Sequence, residues 1–156
     1  MTVADKFVPL SRPTIDDDMI SEVVDSMKSG WLTTGSKVEK FERMFSEYVG
    51  HKNVVAVSTG TAALHIAIQL LNLKKGDEVI TPSITWPSAA NMIELCGGIP
   101  VFVDCERETL NIALDDVEKK ITSHTKAIVV THMRGVPARL DQILDIAKRH
   151  GLKVVE

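Results

Sequence analysis

The chain has 156 residues, enough for one domain with a full hydrophobic core, and its 44% apolar and 25% charged residues argue against disorder. The net charge is −3 and the lysines and arginines are scattered, so a nucleic-acid-binding protein is not expected. Neither the first ten residues nor the apolar segment 62–71 fits a signal peptide or a membrane span. Two cysteines without metal-type spacing favour a reduced, cytoplasmic protein without a metal site.

Helix-like and strand-like segments alternate along the chain. Thr14 followed by Asp17 predicts the N-cap of an amphipathic helix over 15–28, and apolar spacing predicts a second helix over 37–49. Later helices are predicted at 62–72, 87–96, 114–121 and 140–150, and strands at 53–57, 77–81, 99–103, 126–131 and 152–155. The strands lack alternation, so both of their faces should be buried. This pattern predicts an α/β fold, a mainly parallel sheet with helices on both faces.

The segment 58–64, Ser-Thr-Gly-Thr-Ala-Ala-Leu, forms a small-residue turn between a predicted strand and a helix. Free backbone N–H groups and the positive dipole end of a helix start bind anions. Gly60 permits close approach of the backbone, and Thr61 adds a hydroxyl donor. A plain turn in which threonine caps the helix explains the segment about equally well. The spacing fits neither a dinucleotide fingerprint nor a Walker loop.

Two loops carry the only tryptophans. Trp86 lies in the loop 81–88 after a predicted strand, where an indole can stack on a flat heteroaromatic ring, although core packing is its commoner role. The loop 29–35, Ser-Gly-Trp-Leu-Thr-Thr-Gly, could hydrogen-bond a polyol such as a sugar. Its alternative is a polar loop anchored by one aromatic side chain.

Three further polar residues follow predicted strands. Asp104 and Glu106 could form an acid pair, but solvated loop carboxylates are far commoner. His132 lies before a glycine-containing turn, and a structural or solvated histidine is favoured over a catalytic one.

Together these segments resemble the DegT/DnrJ/EryC1/StrS family of sugar aminotransferases. The order and spacing of many short stretches carry the resemblance: 8–13, 29–35, 58–64, 76–83, 85–86, 100–104, 125–128 and 151–156. The pieces 31–35 and 84–86 are most similar to the branch that makes UDP-4-amino-4-deoxy-L-arabinose, a lipid A modifier.

The resemblance implies the N-terminal part of the large domain of a fold-type-I enzyme dependent on pyridoxal 5′-phosphate, usually a homodimer with active sites at the subunit interface. Residues 1–36 would be an N-terminal helix and substrate-side loop, and 37–156 an incomplete cofactor-binding domain. The cofactor phosphate would be held by Gly60, Thr61 and Ala62, and Trp86 would stack on the pyridine ring. The nucleotide-linked 4-keto-sugar would lie near Trp31, Thr33 and Thr34, with glutamate as the expected amino donor.

Two departures from the family pattern matter. The family's last strand continues Val-Val-Glu-Asp, whose aspartate pairs with the pyridinium nitrogen, and the catalytic lysine lies further on; this sequence stops at Glu156. No catalytic residue is therefore predicted, and the chain alone is expected to be inactive. Arg134 and Arg139 also replace the usual residues of the His-x-x-Gly-x-Pro-Ala segment and its flank, where an acid is common.

Two other functions fit the same sequence. One is a non-catalytic module that binds a phosphorylated ligand, a cofactor or a partner, or a remnant kept as a structural piece. The other is a sugar dehydratase of the same family that depends on the same cofactor, in which a histidine replaces the catalytic lysine.

Overall fold

In the computed structural model, which describes Pro9 and residues 11–156, the chain forms two units with a boundary after Ala56. The family resemblance placed a different boundary, at residue 36, between a substrate-side segment and the cofactor-binding domain. That division concerns function, and it stays a prediction. Two segments that the sequence analysis used lie partly outside the described residues: the first ten residues, where no signal peptide was expected, and the family-like stretch 8–13. Among the described residues, no helix is both long and apolar enough to cross a membrane.

The first unit contains two helices, α1 (Asp17–Ser29) and α2 (Ser36–Val49), as predicted. The predicted N-cap of α1 is wrong: Asp16, and not Thr14, caps the helix by accepting a 2.9 Å hydrogen bond from the Met19 backbone N–H. The carboxylate of Asp16 satisfies a donor that the first helical turn leaves free.

The second unit alternates strands and helices. Its helices are α3 (Gly60–Gln69), α4 (Ser88–Leu95), α5 (Leu114–Lys120) and α6 (Leu140–His150), and its strands are β1 (Glu78–Pro82), β2 (Ile99–Val103), β3 (Thr125–Val129) and β4 (Lys153–Val155). These elements match the predicted ones with small shifts at their ends. A short 3₁₀ turn at Met133–Gly135 was not predicted.

The four strands form one parallel sheet in the order β2-β1-β3-β4, which confirms the predicted sheet type. Because all strands run the same way, the segments that follow them leave from one edge of the sheet. Adjacent residues of one strand pack into different cores: Val79 and Ala127 contact α3 and α4 side chains, whereas Ile80 and Ile128 contact those of α5 and α6. Helices therefore cover both faces, as predicted.

The strand predicted at 53–57 is wrong. These residues form no strand, and Val55 is 77% exposed. The backbone N–H of Ala56 instead donates to Oε1 of Glu42, 2.8 Å away. A β-branched run becomes a strand only when another strand supplies its hydrogen-bond partners, and the four-stranded sheet of the described residues does not include this segment.

Candidate functional site

Helix α3 begins with backbone donors that have no helical partner. Its N-cap, Thr59, is extended, and its Oγ1 accepts a 3.1 Å hydrogen bond from the Ala62 N–H. The first backbone bond of the helix runs from Ala63 to Thr59, so helical geometry leaves the N–H groups of Gly60 and Thr61 without helical partners. A Cβ added at Gly60 would meet nothing within 4 Å. This arrangement, at the positive end of the helix dipole, suits an anion.

A cleft of about 540 Å³ joins this helix start to Trp86. Gly60, Thr61 and Trp86 all line it, so three of the four residues assigned to cofactor binding from the sequence are brought together. Ala62 does not line the cleft, and its N–H is taken by Thr59. The other lining residues are Ala63, Leu64, Ala67, Ser88, Val155 and Glu156.

Trp86 belongs to neither core cluster and is 76% exposed, so the packing role considered from the sequence does not apply. Its loop is tied down on both sides. Before it, the Ser83 N–H donates to the Val103 carbonyl over 2.9 Å, and the hydroxyls of Thr85 and Thr131 lie 3.2 Å apart. After it, α4 begins at once. The indole is thus presented to the cleft by a fixed loop.

His132 and Glu156 meet where β3 and β4 end. Nε2 of His132 lies 2.9 Å from Oε1 of Glu156, and Nδ1 accepts a 2.9 Å hydrogen bond from the Ala138 N–H. Because Nδ1 is an acceptor, the neutral imidazole carries its proton on Nε2 and donates it to Glu156. Sequence reasoning favoured a structural or solvated role for His132, and it gave Glu156 no role in the cleft.

Asn111 braces the loop that carries His132. Its side chain is buried, with Oδ1 accepting from the Met133 N–H (2.9 Å) and Nδ2 donating to the carbonyls of Val136 (3.1 Å) and Pro137 (3.3 Å). Within this loop Arg134 has a left-handed backbone with φ of 55°. Asn111 was missed from the sequence; the available clue was a lone amide in the apolar stretch 110–114, since a buried amide needs partners.

The family model for DegT/DnrJ/EryC1/StrS aminotransferases matches residues 13–156. The chain belongs to this family. The resemblance predicted from the sequence is therefore confirmed.

Solved structures support the same assignment. The chain is similar to the aminotransferase TlmJ of Streptoalloteichus hindustanus, with 36% identity and a TM-score of 0.90 over 95% of this chain and 41% of that one. Spr1654 of Streptococcus pneumoniae in its PMP form matches with 34% identity and a TM-score of 0.85 over 91% of this chain and 36% of that one. Escherichia coli GDP-4-keto-6-deoxy-D-mannose-3-dehydratase with bound hydrated PLP matches with 31% identity and a TM-score of 0.88 over 94% of this chain and 39% of that one.

The chain thus spans about two fifths of the length of these proteins. Its parallel sheet and helices match the N-terminal part of the fold-type-I large domain, which confirms the predicted fold class.

The acid pair considered at Asp104 and Glu106 does not form in the structure. Glu106 is bonded to the Arg139 guanidinium and to the Thr109 hydroxyl, which is 2.9 Å from its Oε2. Arg139 and then Thr109 lower the pKa of Glu106 below its ordinary value. Oδ1 of Asp104 accepts from the Cys105 N–H instead. The arginine that departs from the family pattern therefore has a local acidic partner.

The loop 29–35 closes on itself within the first unit. Nε1 of Trp31 donates to the Thr34 carbonyl over 2.9 Å, and a Cβ added at Gly35 would lie 2.8 Å from Cδ1 of Trp31. Trp31 and Thr33 line a second cavity of about 540 Å³, together with the hydroxyl-bearing residues Ser26, Ser29 and Ser36. Thr34 is not among its lining residues. Two of the three residues predicted to lie near substrate therefore share one cavity, which several hydroxyl-bearing side chains also line.

Proposed function

We propose that this chain supplies the cofactor-phosphate site of a pyridoxal-phosphate-dependent aminotransferase that acts on a nucleotide-linked 4-keto-sugar. The observation that carries the proposal is the shared cleft of the α3 start and Trp86. A donor-rich helix end beside an exposed indole matches a ligand that joins a phosphate to an aromatic ring. Membership of the aminotransferase family supports the reaction class.

The residues present fit pyridoxal 5′-phosphate. The N–H groups of Gly60 and Thr61 would donate to the phosphate, and the space in front of Gly60 is open. Thr61 would add its hydroxyl, and Trp86 would cover one face of the ring and keep water from it. Ala62 would contribute indirectly, since its N–H holds the Thr59 cap. Once bound, the cofactor would act as the electron sink for transfer of the amino group.

The finer assignments extend this proposal. Trp31 and Thr33 would contact the nucleotide-sugar in the cavity of the first unit, and Thr34 would act through its carbonyl on Trp31. We propose glutamate as the amino donor, a cytoplasmic homodimer as the working form, and the UDP-4-amino-4-deoxy-L-arabinose branch as the substrate class. The sequence pieces 31–35 and 84–86 support that branch.

A sugar dehydratase of the same family is the second candidate. The similarity to the Escherichia coli 3-dehydratase, at 31% identity, is close to that found for TlmJ, at 36%. Isotope transfer separates the two reactions. When the protein that carries this chain is incubated with the keto-sugar nucleotide and ¹⁵N-glutamate, an aminotransferase places ¹⁵N on the sugar. A dehydratase removes a sugar oxygen and leaves the product free of ¹⁵N.

Calorimetric titration tests the cofactor site without measuring activity. Pyridoxine phosphate and pyridoxine are suitable probes, because neither has the aldehyde that reacts with surface lysines. We expect the phosphate ester to bind about 10-fold or more tightly than pyridoxine, since charge-assisted hydrogen bonds contribute about 1.5–3 kcal/mol each.

Matched tryptophan variants complete the test. Trp86→Ala should weaken pyridoxine phosphate binding by about 10-fold, because stacking on an aromatic side chain contributes about 1–3 kcal/mol. Trp31→Ala should leave it unchanged. Equal affinity for the two probes, or equal effects of the two substitutions, would contradict the proposed site.

A further inference from the structure

A negative charge lies in the same cleft as the proposed anion site. Glu156 lines the cleft with Gly60 and Thr61, and its side chain is 51% exposed. An exposed glutamate samples many rotamers, and a carboxylate is itself a good ligand for helix N–H groups. If Glu156 moved freely, it would repel a phosphate and compete with it for the start of α3.

In the structure Glu156 lines the cleft with its carboxylate bonded to His132. Its carboxylate bonds to Nε2–H of His132, and Nδ1 of the same ring is occupied by the Ala138 N–H. The two bonds act on opposite sides of the imidazole, so they determine both its tautomer and its orientation.

The support for His132 continues into the fold. Asn111 holds three backbone groups of the loop between Met133 and Pro137. Thr131, immediately before His132, contacts Thr85 of the Trp86 loop. His132 is therefore attached to a hydrogen-bonded frame that also includes the Trp86 loop.

We propose that His132 is a positioning residue, which holds the Glu156 carboxylate off the α3 start so that the Gly60 and Thr61 N–H groups stay free for a phosphate. The inference rests on the proposed function, because it concerns the same cleft. It assigns a role to a histidine and a glutamate that neither bind the ligand nor carry out chemistry in that proposal.

Two substitutions separate the two bonds of the ring. His132→Asn keeps an acceptor near the Nδ1 position for Ala138 but is too short to reach Glu156. His132→Gln keeps a donor near the Nε2 position but loses the acceptor. We expect His132→Asn to weaken pyridoxine phosphate binding about three- to tenfold, which lies within the range of coupling between contacting residues, with His132→Gln close to wild type. Binding of pyridoxine, which lacks the phosphate, should not change.

Glu156→Gln supplies the decisive control. Glu156→Gln removes the side-chain carboxylate that His132 is proposed to hold, so the double variant His132→Asn/Glu156→Gln should bind pyridoxine phosphate as well as Glu156→Gln alone. If the loss caused by His132→Asn persists in that background, or if His132→Gln loses as much as His132→Asn, the inference is wrong.

A spectroscopic measurement tests the inference without any ligand. Long-range ¹⁵N–¹H NMR of the free chain should show His132 protonated at Nε2, and an Nδ1–H tautomer would overturn the inference while leaving the cofactor site intact. Failure of the wild-type chain to bind pyridoxine phosphate would instead overturn the proposed function, and this inference with it.

Discussion

The two units of the chain are stabilised in different ways. Neither α1 nor α2 in the first unit has a buried residue, and apolar side chains such as Met19 and Phe41 are more than half exposed. In the second unit the central strands β1 and β3 contain residues with no exposed surface, among them Ile80 and Ile128. Amphipathic spacing alone therefore does not produce a core. Burial follows where a sheet gives the apolar side chains a common surface to pack on.

Local contacts dominate in the first unit. Asp16 caps the start of α1, glycines in left-handed conformation end both helices, and Lys37 of α2 contacts Glu22 (2.6 Å) and Asp25 (2.8 Å) of α1. The rings of Phe41 and Phe45, one turn apart, lie 5.9 Å from each other. Such contacts contribute little individually, so perturbing one unit should differ strongly from perturbing the other.

The largest contrast should come from shortening one isoleucine in each unit. Ile128→Ala removes a fully buried side chain from β3 and should lower the free energy of unfolding of the second unit by about 2–5 kcal/mol. Ile20→Ala, on α1, removes a side chain that is 52% exposed and should cost no more than about 0.5 kcal/mol. Urea unfolding monitored by residue-resolved hydrogen exchange would measure both. Similar costs would mean that α1 has a core partner.

The next effect concerns a buried polar group of the second unit, the side chain of Asn111. Asn111→Ala leaves the Met133 N–H and two carbonyls without their partner, at a cost of about 1–3 kcal/mol. Hydrogen exchange at Met133 should accelerate as the loop opens. Asn91→Ala, at an exposed position of α4, is the matched control and should have little effect. Unchanged protection at Met133 in Asn111→Ala would show that the loop does not depend on the amide.

Much of the second unit was predictable because its signals are local and continuous. Each strand from β1 onward is a short apolar run, and α6 repeats apolar residues at helical spacing up to a capping glycine, Gly151. The segment 53–57 has the composition of a strand but forms none. Composition indicates a propensity for extended backbone, but it does not show whether a neighbouring strand is there to pair with. Strand order could not be deduced for the same reason.

The candidate site also contains residues that the sequence indicates and contacts that it does not. Gly60, Thr61 and Trp86 could be named as candidates from the sequence because each lies in a turn or loop that follows a strand-like run. The bond of His132 to Glu156 and the three bonds of Asn111 link residues more than twenty positions apart. Predicting them needs the order of the strands and the path of the 132–138 loop, including the left-handed Arg134.

A smaller effect tests the local stabilisation of the first unit. Asp16→Ala removes the cap of α1 and should destabilise that helix by about 0.5–2 kcal/mol, seen as faster hydrogen exchange in its first turn. Thr14→Ala, at the position suggested by the sequence, should have no such effect. Loss of protection in Thr14→Ala instead would restore the sequence-based assignment of the cap.

The smallest effect should be the pH dependence of the ion pairs, which again differs between the units. Arg139 and Thr109 hold the pKa of Glu106 below its ordinary value, about 4.3. A depressed pKa in the folded state means that the pair stabilises the fold above that ordinary value and stops doing so as the pH falls through the lowered pKa.

Glu106→Gln should therefore destabilise the second unit at pH 6. It should make little difference once the pH is below the lowered pKa of Glu106. Urea midpoints measured across the pH range would show both. Lys37 lowers the pKa of Glu22 in the same direction. The Glu22 side chain is 64% exposed and the Glu106 side chain 24%, while their cationic partners Lys37 and Arg139 are both partly exposed. Because the Glu106 carboxylate is the less solvated of the two, added salt should erase the Glu22→Gln effect first. Equal salt sensitivity would show that the Arg139 pair is as solvated as the helix pair, and that the second unit gains nothing from partial burial of its charges.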